Sequence, residues 1–195
     1  VIFLIYPIIA SLISFLLKAN YFFSVIIFYG LPSIYLSFKM KGKIRNSIIF
    51  SLIWIIPMII IDYIGHLTNT WVIPNSIIQF RLFGYVTLEQ ILWLLFMVYF
   101  TIMFYEYFLD KHISHKLNKP HFKYLLIFFL SLFSIFLFLL FGFPQFLHIP
   151  YFYLSLGVIF ILIPILLELF KYPRYYSKFF KAQAYFFYLN FLYEV

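Results

Sequence analysis

Cysteine is absent from this 195-residue sequence, and acidic residues are scarce. Without cysteine the chain has no disulfides, no thiolate metal ligands and no cysteine nucleophile. Only six residues are Asp or Glu, against 14 that are Lys or Arg, so each carboxylate needs a physical reason. The six glycines are scattered and form no glycine-rich phosphate or dinucleotide loop. These absences exclude thiol chemistry and the common nucleotide-binding classes.

Apolar residues, by contrast, are abundant. Hydrophobic residues make up 66% of the chain and charged residues 10%, whereas soluble proteins carry roughly 25% charged residues. The mean hydropathy is +1.03. A membrane-spanning helix needs about 20 apolar residues. Inside lipid there is no water to bond the backbone, and a helix pairs all of its N–H and C=O groups internally. The sequence therefore predicts an all-α, polytopic transmembrane helix bundle whose first partner is the lipid bilayer.

Seven apolar spans are predicted, within a single membrane domain of residues 1–195. They are Val1–Leu17, Tyr21–Phe38, Ser47–Ile64, Leu88–Leu109, Phe122–Phe143, Pro150–Phe170 and Ser177–Val195. Both ends of the sequence lie inside apolar runs, so we expect a piece of a longer chain.

Positive charge is concentrated in alternate loops. Twelve of the 14 basic residues lie in segments 39–46, 111–123 and 171–181, and only Lys18 and Arg81 lie in the other loops. This alternation is typical of membrane orientation rather than of nucleic-acid binding, so no nucleic-acid partner is expected. We expect the three basic loops on the cytoplasmic side, in the cytoplasmic membrane of a prokaryote.

A faint internal repeat divides the chain into two three-helix units. The first covers approximately residues 1–110 and the second, incomplete, approximately 120–195. In each unit the second span has an aromatic start and a proline in its last third, Pro32 and Pro164, followed by a basic loop. Membrane enzymes and transporters are often built from such repeats.

Two acids are predicted at the outer ends of consecutive spans. Asp62 lies near the end of one span and Glu89 opens the next. Asp62 is either hydrated at the membrane surface or faces the bundle together with Glu89. In the second case partial desolvation would favour the protonated acid and equip it to donate a proton. Glu89 also suits the first turn of a helix whose N-cap is Thr87.

The remaining ionisable residues have simpler interpretations. Glu106, Asp110 and Glu168 precede basic loops, as solvated helix ends do. His66 follows Asp62 by four residues and either tunes that acid or faces water. His112 and His115 have metal-ligand spacing, but no carboxylate is placed to complete a site, so no metal is expected.

The stretches "IIDYIGHLTNTW" and "GYVTLEQILWLLFMVYFTIMFYEYF" resemble the membrane-embedded lycopene cyclase domain family of carotenoid biosynthesis. That family has an Asp near a helix end, a Trp nine residues later, then a Pro-x-Glu-Glu start of the next helix, which ends in Tyr-Glu. Asp62, Trp71, Glu89 and the pair Tyr105–Glu106 match this pattern. In the second unit Asn190 stands where the family has an Asn. Thr87 replaces the family's Pro, and Gln90 replaces its second Glu.

The resemblance implies an intramembrane carotenoid end-group cyclase, an intramolecular lyase or isomerase of the lycopene cyclase type. Asp62 and Glu89 would be catalytic, and Trp71, Gln90 and Asn190 would bind a polyene substrate. No cofactor is implied, because protonation, ring closure and proton loss involve no net redox change.

Other classes remain open on the sequence. One is a non-catalytic polyene- or isoprenoid-binding or assembly subunit that has lost its second Glu, and another is a small-solute transporter. Homo-oligomers, or hetero-oligomers with carotenoid-pathway enzymes, are also compatible with the sequence.

Overall fold

Seven helices account for most of the residues that the structure describes. The structure is a computed structural model that describes residues 2–71, 73, 76–110 and 119–194, with the backbone alone for 119–122, 153, 160, 161, 164, 168 and 174. The helices are α1 (Ile2–Leu16), α2 (Tyr21–Lys39), α3 (Ile44–Leu67), α4 (Leu88–Leu109), α5 (Lys119–Gly142), α6 (152–171) and α7 (Tyr176–Glu194). Each predicted span coincides with one of them to within three residues at either end. The all-α prediction is confirmed.

Four of these helices are long and apolar enough to cross a bilayer, judged by length and composition. They are α2, α3 extended to Lys41, α4, and the Lys123–Gly142 part of α5, whereas α1 is apolar but shorter. On α5, large apolar side chains such as Phe128 and Phe138 point away from the protein. These features are consistent with a membrane protein. The count of seven spans and the two-unit repeat stay predictions.

Three helices contain a π-helical segment, and two of these segments precede a proline. The π segment Ile26–Gly30 lies just before Pro32 in α2, and Leu156–Leu162 lies just before Pro164 in α6. Proline lacks an N–H and its ring clashes with the carbonyl four residues earlier, a clash that a wider turn relieves. Pro7 and Pro57 lie inside α1 and α3 without a π segment. A π segment before a proline thus occurs in the two helices that the proposed repeat pairs.

The interior has two apolar clusters. The larger lies between α1, α2, α4 and α7 and is rich in stacked rings, such as the parallel pair Phe104–Tyr185 with centroids 4.2 Å apart. The smaller lies between α3, α5 and the chain that joins α3 to α4, around Tyr63 and Phe136. Because α4 packs against α2 and α3, it separates the two clusters and contributes to both sides.

Ion pairs identify one end of the bundle. Lys43, just before α3, lies 2.8 Å from Glu106, and Lys178 in α7 lies 2.6 Å from Asp110. Both acids are near the end of α4, so the basic segments before α3 and at the start of α7 meet there; we call this the basic end. The basic residues at 111–118 lie outside the described residues. Since α3 ends where the chain turns back toward α4, Asp62 and the start of α4 lie at the opposite end, the Asp62 end.

A short hairpin leads into α4. Strands β1 (Arg81–Leu82) and β2 (Val86–Thr87) pair antiparallel, with Leu82 opposite Val86. The two central residues of the turn, Phe83 and Gly84, both have positive φ (53° and 81°), as the tight turns that suit hairpins require. The Phe83 ring packs within 5.8 Å of the Phe136 ring of α5, which holds this non-glycine residue in place.

Candidate functional site

Asp62 is fully buried in the last turns of α3, with 0% of its surface exposed. Two side chains donate hydrogen bonds to its Oδ1, Trp71 Nε1 at 2.8 Å and Gln90 Nε2 at 2.5 Å. Its Oδ2 is also buried, and it has no hydrogen-bond partner among the described residues. Of the two interpretations of Asp62, the structure therefore shows the one in which the carboxyl group faces the protein interior rather than bulk water.

The end of α3 directs Trp71 back onto the helix. Asn69 adopts a left-handed conformation (φ 54°), its N–H donates to His66 O, and the N–H of Thr70 donates to Gly65 O. This pair of bonds is the Schellman motif, which Asn tolerates because left-handed backbone is accessible to it. The motif reverses the chain, so Trp71 reaches Asp62 although it lies nine residues later.

Gly65 makes room for this return. A Cβ atom at position 65 would overlap the six-membered part of the Trp71 ring, so no other residue fits without displacing the indole. The His66 ring lies on the same side of the helix end, 6.3 Å from the Trp71 ring and nearly perpendicular to it.

Gln90 is positioned by the start of α4. Thr87 is the N-cap: its hydroxyl accepts a hydrogen bond from the Gln90 backbone N–H at 3.2 Å and donates to the Gln90 side-chain oxygen, also at 3.2 Å. The Gln90 oxygen is thereby occupied, and its amide nitrogen is directed at Asp62. A single helix start thus orients the second donor to the acid.

Glu89 points to the loop between α3 and the hairpin. Its Oε2 accepts from the Ser76 hydroxyl at 2.6 Å and its Oε1 accepts from the Ile78 backbone N–H at 3.0 Å. The side chain is 1% exposed. Glu89 also lies in the first turn of α4, where a carboxylate interacts favourably with the helix dipole. Its hydrogen bonds make it the anchor of the loop, and the direct partner of Asp62 is Gln90.

His66 is a further polar side chain at the site. It lies one turn after Asp62, and its Nδ1 is 3.0 Å from the Asp62 backbone oxygen and 3.5 Å from Asp62 Oδ1. The side chain is buried, so it does not face water.

Asn190 lies in a neighbouring group. Its side-chain oxygen accepts a hydrogen bond from the hydroxyl of Tyr29. The Tyr29 ring lies 6.3 Å from the Trp93 ring. Trp93 follows Gln90 by three residues and so shares its face of α4. Asn190 is therefore linked to the Asp62 site through two aromatic side chains rather than by direct contact.

An open cleft of about 610 Å³ lies at the Asp62 end. It is lined by Thr68, Thr70, His148, Pro150, Tyr151 and Leu154. Thr68 and Thr70 belong to the same chain reversal that places Trp71 over Asp62. The cleft thus begins one residue from the indole that covers the acid.

The structure brings together three of the five predicted site residues: Asp62, Trp71 and Gln90. Glu89 and Asn190 lie next to this group and bond elsewhere. Sequence reasoning missed two supporting features. The spacing Thr87-x-x-Gln90 is that of a capping box and assigns Gln90 to the third helical position. No sequence pattern marks Gly65, because a glycine is needed there only to admit the Trp71 ring against the helix.

Comparison of the chain with protein-family models, with curated proteins and with solved structures finds no match.

We predict that Gly65→Ala displaces Trp71 from Asp62, because the added methyl group occupies the space of the indole ring. The measurement is acrylamide quenching of Trp71 fluorescence in a Trp54→Phe, Trp93→Phe background, which leaves one tryptophan of the three. Quenching should rise with Gly65→Ala. The control is Gly157→Ala, where an added Cβ meets nothing within 4 Å. Equal quenching in both variants would contradict the packing described.

Proposed function

We propose that this chain is an intramembrane end-group cyclase that acts on a lycopene-type carotenoid by acid catalysis. The observation that carries the proposal is Asp62: a buried carboxyl group whose Oδ1 holds two hydrogen bonds and whose Oδ2 has no partner among the described residues. A free, buried carboxyl oxygen suits an acid that delivers its proton to an apolar substrate.

The chemistry fits such a group. Asp62 would add its proton to the terminal carbon–carbon double bond of the polyene. The neighbouring double bond then attacks the resulting cation and closes the ring, and loss of a proton from an adjacent carbon forms the ring double bond. One proton enters and one leaves, so the reaction is an isomerisation. General acid catalysis of this kind contributes about 10²–10⁴-fold in rate.

The surroundings of Asp62 suit a cationic, hydrocarbon intermediate. Trp71 contacts the acid directly, and Trp93 and Tyr29 lie one turn further into the bundle. Aromatic faces stabilise cations without reacting as bases. The nearest described cleft is lined by Thr68 and Thr70, on the same chain reversal that carries Trp71.

One observation favours a second candidate, a non-catalytic polyene-binding subunit. Gln90 occupies the position of the second Glu of the resembling family, and both oxygens of Glu89 are taken up by the loop. Asp62 would then be the sole carboxyl group at the site. Pigment analysis separates the two candidates.

The first test is expression of the full-length gene in lycopene-accumulating cells, with pigments separated by chromatography. The intact protein should convert lycopene to ring-bearing products, and Asp62→Asn should lower conversion by about a hundredfold or more, because the proton donor is lost. Asp110→Asn is the matched control, since Asp110 pairs with Lys178 at the basic end. Unchanged lycopene despite verified membrane expression of the intact protein would refute the cyclase.

A second test addresses Glu89. Glu89→Gln keeps an acceptor for the Ile78 N–H, so we expect most of the conversion to persist. Glu89→Leu removes the acceptors of both the Ile78 N–H and the Ser76 hydroxyl, and should lower both the melting temperature in detergent and the conversion. A loss of conversion with Glu89→Gln as severe as that of Asp62→Asn would instead assign Glu89 a direct catalytic role.

A third test addresses the orientation we propose, with loops 39–46, 111–123 and 171–181 in the cytoplasm of a prokaryotic cell. The chain has no cysteine, so single cysteines are unambiguous labels. Gln145→Cys, at the Asp62 end, should react with a membrane-impermeant maleimide on intact cells. Gly42→Cys, at the basic end, should react only after permeabilisation. The reverse pattern would overturn the orientation.

A further inference from the structure

The hydrogen bonds of His66 determine which ring nitrogen carries its proton. Nδ1 lies 3.0 Å from the backbone oxygen of Asp62. A carbonyl oxygen only accepts hydrogen bonds, so Nδ1 must be the donor, and in a neutral imidazole Nε2 then carries the lone pair. Nε2 is buried and has no hydrogen-bond partner among the described residues. His66 thus holds a proton-accepting atom inside the bundle.

Asp62 holds the complementary atom. Trp71 and Gln90 both donate to Oδ1, which leaves Oδ2 as the oxygen that can carry a proton. The side chains of His66 and Asp62 are 3% and 0% exposed, and they lie one helical turn apart. Leaving a buried polar atom unsatisfied costs about 1–3 kcal/mol, and here Asp62 and His66, one helical turn apart, each carry such an atom. Both unpaired atoms have a function if Asp62 Oδ2 gives a proton to the substrate and His66 Nε2 takes one from it.

We infer that His66 is the base of the cyclisation, and that its Nε2 removes the proton from the ring cation that Asp62 generates. This inference rests on the proposed cyclase function. It adds a second catalytic residue and separates the acid from the base.

The protons balance. The Asp62 carboxyl group gives its proton to the terminal double bond, and the cation closes to a ring. Nε2 then takes a proton from a carbon next to the cationic centre, and the electrons of that carbon–hydrogen bond form the ring double bond. The site is left with an imidazolium beside a carboxylate, with Nδ1 and Oδ1 3.5 Å apart. Loss of the Nε2 proton to solvent and uptake of a solvent proton by Asp62 restore both groups.

The other side chains around Asp62 are poor bases. The Trp71 indole and the Gln90 amide are donors to the acid, and the Gln90 oxygen is held by Thr87. Both oxygens of Glu89 are engaged by the loop. Among the described side chains in contact with Asp62, His66 alone offers a basic atom without a partner.

The test uses the purified full chain in lipid nanodiscs loaded with lycopene, in D₂O, with products analysed by chromatography and mass spectrometry. The intact protein should form rings that carry one deuterium each. His66→Asn places an amide donor near the position of Nδ1 but removes the base. It should lower ring formation by about a hundredfold. It should also divert the products to rings with a shifted double bond, or with a hydroxyl group from water capture of the cation. Asp110→Asn, at the basic end and away from the cleft, should match the intact protein in rate and products.

The outcomes separate the two proposals. If the intact protein forms no rings, the cyclase function itself fails. If it forms rings and His66→Asn gives the same products at the same rate, His66 is not the base. A lower rate with an unchanged product ratio would make His66 a positioning residue and would also overturn the inference. His66→Gln provides the same comparison if His66→Asn does not accumulate, and melting temperatures in detergent verify that each variant is folded.

Discussion

The two hydrogen bonds donated to Asp62 Oδ1 hold the Asp62 end of the bundle together. One comes from Trp71 on the chain reversal after α3 and the other from Gln90 at the start of α4, so a single oxygen joins three segments. Taking a carboxyl group out of water is costly unless hydrogen bonds compensate it, and here they do so on one oxygen only. The end of α3, the chain reversal that carries Trp71 and the start of α4 therefore all meet at this carboxyl group.

Asp62 and Glu89 have different roles because Gln90, and not Glu89, bonds to Asp62. Glu89 and Gln90 are adjacent, but successive residues at a helix start point about 100° apart, so they meet different partners. Glu89 meets the loop at Ser76 and Ile78, and Gln90 meets the acid. An amide at position 90 has a simple electrostatic consequence: it puts a hydrogen-bond donor beside Asp62, where a carboxylate would repel it. The proposed cyclase function and the proposed role of His66 both rest on the contacts of Asp62.

Much of the fold was predictable because the membrane restricts the options. Long apolar runs must form helices, and the predicted and observed helices agree closely, even at the loop between α1 and α2, where Asn20 caps the helix. Features that depend on backbone detail were not predictable. The π segments before Pro32 and Pro164, the left-handed Asn69 and the positive φ of Phe83 produce no signal in hydrophobic periodicity. The site was half predictable: the scarcity of acids pointed to Asp62 and Glu89, and the family resemblance implied Trp71, Gln90 and Asn190, whereas the hydrogen bonds between them were not foreseen.

The sequence by itself determined the class of protein and the two candidate acids. Composition is that of a membrane protein, spacing marks the helices, and the scarcity of carboxylates singles out Asp62 and Glu89. Only the tertiary structure decided which donors meet Asp62, that Gly65 admits Trp71, and that His66 leaves Nε2 unpaired. The physical reason is that hydrogen bonds depend on distances of about 3 Å and on direction, whereas sequence spacing specifies only which residues share a helix face.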